Sequence, residues 1–287
     1  MVRAQRGGAP RRAARPGAVR RRGVGRARCL QGPVEWLLAA RRYPEVRRIL
    51  LDVFAQQYED DGSWPQWYMH APFAFIRQRD AHGDIPFWPL KALCDYIEAA
   101  NDFSILAETV PYQPRPGTAR QRPDEPLLCH ADRVIELYRA RCLAGTALID
   151  YGDGDWDDTL QPADPALRST MVSSWTVGLV YHAFRLWAEV CRRAGHAERA
   201  ETMARLLAGI RDDFARLLII DGQTCGFAIR EGDCFRPLLH PADRVTGIHH
   251  ALLPMTRAFW PGYSNPRRRA ITRRSSAGTC FSRTARG

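Results

Sequence analysis

Between Tyr151 and Leu160 the chain reads Tyr-Gly-Asp-Gly-Asp-Trp-Asp-Asp-Thr-Leu, setting Asp153, Asp155, Asp157 and Asp158 within six residues around Gly152, Gly154 and Trp156. Carboxylates this close repel one another, which raises the pKa of at least one of them. A carboxyl that keeps its proton near neutral pH is what general acid catalysis requires. Trp156 offers a flat apolar face on which a sugar ring can lie, and it lowers the dielectric around its acidic neighbours. The same residues also suit a solvated acidic turn or a calcium loop, although the bidentate Glu that closes such loops is missing.

A second cluster, Arg77-Gln78-Arg79-Asp80-Ala81-His82-Gly83-Asp84, stands just before a helical segment. Arg79 beside Asp80 supplies a fork of donors next to an acceptor, a pair suited to neighbouring hydroxyls of a sugar. The competing account is a surface ion pair, with Asp84 capping the helix that follows. Upstream, the stretch from Asp61 to His70 is rich in rings, and Trp64 and Trp67 serve equally as core or as a sugar platform. His182 lies on an apolar helix and reads as a core histidine. His240, His249 and His250 show no ligand spacing, so no metal site is expected.

These residues need a scaffold, and the apolar spacing points to successive helix pairs. Val34, Leu37 and Leu38, then Val46, Ile49, Leu50, Val53 and Phe54, recur at intervals of three and four. Pro44 sits where a first-turn proline is tolerated, whereas Pro65 stops any helix through the aromatic stretch. Helical pattern resumes after Pro89, recurs briefly near Ile105, and returns from Leu127 to Tyr138 after a Pro- and Arg-rich surface loop over 111–123. Two longer helices, about 171–194 and 197–219, are divided by Gly195. The first is apolar nearly all round and so is expected to be buried on most sides. Gly226 to Ile229 suits a strand, and a weak helix is expected near 252–260.

The formal charge of +11 would suggest a polyanionic partner if it were spread along the chain. Instead, ten Arg lie in 1–28 and seven in 261–287, with no acid in either segment, which leaves 29–260 at −6. An acidic, aromatic-rich middle suits a neutral oligosaccharide better than nucleic acid. The terminal segments read as disordered or out-of-frame arms: Lys91 is the sole lysine, and their Arg/Gly/Ala/Pro/Ser mixture is what a GC-rich reading frame yields. The eight cysteines form no CxxC pair and read as reduced thiols of a cytoplasmic protein. No run approaches the roughly 20 apolar residues of a membrane span.

At Asp155-Trp156-Asp157-Asp158 and Arg79-Asp80-Ala81-His82-Gly83-Asp84 the sequence resembles glycoside hydrolase family 94, the inverting carbohydrate phosphorylases, over about 29–260. The resemblance continues through Trp88-Pro89-Leu90-Lys91-Ala92-Leu93 and Tyr96-Ile97-Glu98-Ala99. It implies an all-α fold, an incomplete (α/α)6 barrel of the six-hairpin type. It also implies Asp158 as general acid, a sugar subsite drawn from Arg79, Asp80, Asp84, Asp155, Trp156 and Trp67, and inorganic phosphate as co-substrate with no other cofactor. Two departures stand out: Asp157 replaces the family's asparagine, and Phe73 occupies the position of an arginine of the family's phosphate site.

Overall fold

A computed structural model describes residues 23–25, 30–70, 72–157 and 160–254 of the 287-residue chain. The described residues hold six α-helices: α1 (Gly32–Ala39), α2 (Tyr43–Phe54), α3 (Phe87–Ala100), α4 (Leu127–Arg141), α5 (Ser174–Arg193) and α6 (Ala197–Leu217). Prolines occupy the first turns of α1 and α2, where the missing N–H breaks no helical hydrogen bond. α3 begins at Phe87, so Pro89 lies inside its first turn rather than ahead of it. The helix stops at Asn101, which takes the left-handed conformation at φ 51°.

α3 is the centre of the molecule and packs against α1, α2, α4 and α5. Leu90, Leu93, Ile97 and Phe87 on α3 are fully buried, as are Phe184 and Leu179 on α5. Each such side chain contributes about 1.5–3 kcal/mol through removal from water. α5 and α6 form a hairpin through Ala194, Gly195 and His196, with Gly195 at φ +80° supplying the turn.

The expected helical frame is present, and among the described residues it is accompanied by ten short strands, β1 (Gly23–Gly25), β2 (Trp67–Met69), β3 (Arg77–Gln78), β4 (Thr109–Val110), β5 (Glu125–Pro126), β6 (Met171–Ser173), β7 (Ile219–Ile220), β8 (Gln223–Thr224), β9 (Phe227–Glu231) and β10 (Cys234–Leu238). They make small antiparallel sheets, of which β10-β9-β6 matters most here. The helix expected from 171 begins at Ser174, because Met171, Val172 and Ser173 pair with Ile229, Ala228 and Phe227 of β9. Ser173 then caps the helix, accepting the Thr176 backbone N–H at 3.3 Å. A second, smaller core lies under this sheet, built from Tyr151, Met171, Phe227, Ile229, Leu238, Leu239 and Ala251.

The expected strand at Gly226–Ile229 is present as β9, the short helix near Ile105 is a 3-10 turn over Phe103–Ala107, and 111–123 is irregular. The expected helix at 252–260 is helical over 252–254, and its remainder lies outside the described residues. Among the described residues no helix is long and apolar enough to cross a membrane.

Candidate active site

The two clusters read from the sequence lie against each other. His82 forms an isolated antiparallel bridge with Gly152, and the Gly83 N–H donates to the Gly154 carbonyl at 2.7 Å. The acidic loop is also anchored behind: Tyr151 N–H donates to the Met171 carbonyl at 2.8 Å and Gly152 N–H to Arg168 at 2.9 Å. Arg141, at the end of α4, joins both segments by pairing with Asp150 while its Nη1 donates to the Gly83 carbonyl at 3.1 Å. The backbones approach so closely that a Cβ on Gly83 would lie 2.3 Å from the Tyr151 carbonyl oxygen.

The fold resolves the like-charge crowding by sorting the carboxylates. Asp153 turns outward and pairs with Arg168 at 2.6 Å. Asp155 and Asp157 turn inward and are 1% and 0% exposed. Asp155 Oδ2 accepts the Thr176 hydroxyl at 2.8 Å, and its Oδ1 accepts the Asp157 backbone N–H at 2.9 Å. Burial pushes the Asp155 carboxyl up to about 7, the Ser173 and Thr176 hydroxyls oppose the rise, and the nearby Asp84 and Asp157 charges add to it. Asp84 is also buried, and its Oδ2 accepts the Trp88 indole N–H at 2.9 Å, so it anchors the first turn of α3 by its indole rather than capping the helix. Asp158, the expected acid, lies outside the described residues.

Trp156 remains 46% exposed and stacks parallel on Trp175, with centroids 5.7 Å apart and planes at 16°. Arg79 and Asp80 are exposed on the wall of a cavity of about 250 Å³, which His82, Gly152, Asp153 and Arg115 also line. Trp67 is half-buried on β2, opposite Gln78 of β3. Its neighbour Gln66 accepts the His82 N–H at 2.8 Å and so holds the Arg79–Asp84 segment in place. Trp64 belongs to the core, donating its indole N–H to Val53 at 2.9 Å. Phe73 sits 38% exposed in the turn between β2 and β3. Among the described residues no His, Cys, Asp and Glu group could hold a metal ion.

Sequence reasoning missed Ser173, Trp175 and Thr176. The signal was present, since Ser173-Ser174-Trp175-Thr176 ahead of an apolar run is a helix N-terminus, and its hydroxyls point back toward the preceding loop. The site therefore combines a carboxyl half-ionised near neutrality, an exposed indole plane and a donor-acceptor pair beside a cavity, a set that fits a polyol ligand.

The chain is 40% identical over 230 residues to the 1,2-beta-oligoglucan phosphorylase of Listeria innocua serovar 6a (strain ATCC BAA-680 / CLIP 11262), covering 79% of this chain but 21% of that protein. It thus spans about a fifth of the length of this relative. Its fold is similar to that of a rhamnosidase from Klebsiella oxytoca solved with rhamnose bound, with a TM-score of 0.51 at 18% identity over 70% of this chain and 34% of that one. Residues 74–226, which contain both clusters, match the model of the glycosyl hydrolase 94 superfamily catalytic domain. With that match across more than half of its length, the chain belongs to the glycosyl hydrolase 94 superfamily.

Proposed function

We propose that residues 29–260 are part of an inverting phosphorylase catalytic domain that cleaves β-1,2-linked oligoglucosides with inorganic phosphate. In this reading Asp158 donates its proton to the glycosidic oxygen as that bond breaks, while a phosphate oxygen attacks the anomeric carbon from the opposite face. The products are a shortened oligosaccharide and a sugar 1-phosphate of inverted configuration. In synthesis the same carboxylate takes the proton of the acceptor hydroxyl. Phosphate is the nucleophile, so a single protein acid suffices and no cofactor is needed. An inverting hydrolase would require a second carboxylate about 6.5–9.5 Å away to activate water.

The observation that carries the reading is the direct hydrogen bonding of the Arg79–Asp84 segment to the acidic loop, which sets a sugar-gripping pair beside the loop that contains Asp158. The relative's name points to the β-1,2 linkage. Arg79, Asp80, Trp156 and Trp67 form the sugar subsite, and Asp84 and Asp155, both buried, shape it from behind. Phe73 has no donor, so phosphate is held by other groups than the residue at that position. The helix pairs and the likeness to the rhamnosidase support placing the chain within an (α/α)6 barrel of six hairpins. The free thiols of Cys94, Cys142, Cys191 and Cys225 support a cytoplasmic location.

The test is incubation with β-1,2-glucooligosaccharides with and without inorganic phosphate, following sugar 1-phosphate. Formation that depends on phosphate, and that Asp158→Asn lowers by about a thousandfold, is the expected result. Free sugar released without phosphate would establish the hydrolase instead. No turnover, or an unaffected Asp158→Asn variant, would overturn the assignment for this chain.

A further inference from the structure

Two adjacent residues at the start of α5 grip two adjacent residues of the acidic loop. Thr176 donates its hydroxyl to one oxygen of Asp155, and the other oxygen takes the Asp157 backbone N–H, so this carboxylate bridges the helix to the loop. Asp157 immediately precedes Asp158. Trp175 lies flat beneath Trp156 and is braced from below by Trp88, 5.9 Å away, whose indole N–H is held by Asp84. A continuous line of contacts thus runs from the first turn of α3 through α5 to the exposed face of Trp156. Trp175 and Thr176 are 2% and 1% exposed, so a sugar reaches neither of them directly.

Their backbone is rigid for separate reasons. β6 pins Ser173 to Phe227, and the Ser173 hydroxyl caps the helix at Thr176. A β-branched side chain in a helix has few χ1 wells, so the Thr176 hydroxyl keeps its direction. A stacked indole pair is similarly restricted in plane.

We propose that Thr176 and Trp175 are positioning residues, Thr176 fixing the loop backbone that leads into Asp158 and Trp175 setting the plane of the Trp156 sugar platform. The inference rests on the phosphorylase reading for its effect on turnover, but its structural core can be tested without turnover. The functions divide: the backbone at Asp155–Asp157 is loosened when Thr176 loses its hydroxyl, whereas the platform tilts when Trp175 loses its ring.

In kinetics, Thr176→Val should lower kcat by about 30-fold with KM little changed, since loosening the residues next in sequence to the acid acts on the transition state alone. Thr176→Ser, which restores the hydroxyl, should recover most of this loss, a rescue that a packing role would not give. Trp175→Leu should raise KM for the oligoglucoside by about tenfold with a smaller change in kcat. A Thr176→Val variant with unchanged kcat, or a Thr176→Ser variant no better than it, overturns the role of Thr176. A Trp175→Leu variant with unchanged KM overturns that of Trp175.

Near-UV circular dichroism supplies the second measurement. The exciton band lost in Trp156→Phe should also be lost in Trp175→Phe, the latter together with any Trp88–Trp175 contribution, and Thr176→Val should weaken it while Thr176→Ser keeps it. If wild type makes no sugar 1-phosphate, the phosphorylase reading has failed by itself, and these spectra still decide the positioning inference. A band lost in Trp156→Phe but kept in Trp175→Phe, or one untouched by Thr176→Val, would sink it.

Discussion

Asp84, Asp155 and Asp157 share a buried region in which an ionised carboxylate is costly. Asp155 takes hydroxyl and amide donors, Asp84 takes an indole N–H, and Asp153 escapes to Arg168 at the surface. Trp156 separates two of these acids in sequence and is the one ring of the loop left open to a ligand. Removing its plane with Trp156→Ala should raise KM for oligoglucosides by about tenfold, with Trp156→Phe intermediate, as read from initial rates over a range of oligosaccharide concentrations. An Ala variant with wild-type KM would remove Trp156 from the sugar subsite. The crowding of acids around a ring was legible in the sequence. Their sorting was not, because the partner that turns Asp155 inward, Thr176, lies 21 residues away and is brought close only by β6 and α5.

At the scale of elements, the helix pairs were legible because apolar spacing at three and four residues directly encodes a buried helical face. The strand β6 was not: Met171, Val172 and Ser173 continue the apolar run of α5, and only the pairing with β9 separates them from the helix. The docking of the Arg79–Asp84 segment on the acidic loop was also hidden, since it is made by backbone groups that carry no side-chain signature. Glycine is the trace it leaves. A Cβ at Gly83 would meet the Tyr151 carbonyl at 2.3 Å and the Arg141 guanidinium at 2.8 Å, and the carbonyl belongs to a backbone pinned from behind by Met171. Gly83→Ala should therefore destabilise by about 1–3 kcal/mol through forced separation of the two loops, measured by urea unfolding. It should also weaken oligosaccharide binding. Gly32→Ala is the control: a Cβ there meets nothing within 4 Å beyond its chain neighbours, so the change in stability should stay below about 1 kcal/mol. Equal effects of the two substitutions would contradict the close approach.

For the whole molecule, two buried groups, one on α4 and one in the acidic loop, set opposing pH dependences. His130 lies on α4 with its Nδ1 2.7 Å from Gln57 Oε1 and its ring stacked 3.9 Å from Tyr112, and burial lowers its pKa from 6.5 to about 4, against the Val110 carbonyl. The unfolded chain then binds more protons than the folded one between these values. Its contribution is fully present above pH 6.5 and is lost as pH falls to about 4. Asp155 runs the other way: its pKa rises from 3.8 to about 7, so its contribution is present below pH 3.8 and is lost as pH rises through 7. Each spans about 3–4 kcal/mol by linkage, so the two largely cancel across the shared window. Glu45, Glu59 and Glu189 are held below the usual carboxylate range by their partners and act at lower pH, while Asp150, raised by burial, is common to every variant compared. Relative to wild type, Asp155→Asn should gain stability as pH rises from 4 to 7, leaving the His130 slope exposed. His130→Gln should lose stability over the same range, leaving that of Asp155. Urea midpoints taken at intervals between pH 4 and 8 measure both differences. A difference curve for Asp155→Asn that is flat, or that falls with pH, would mean that this carboxyl is ionised in the fold well below neutrality, and the acidic loop would then carry a permanent charge beneath Trp156.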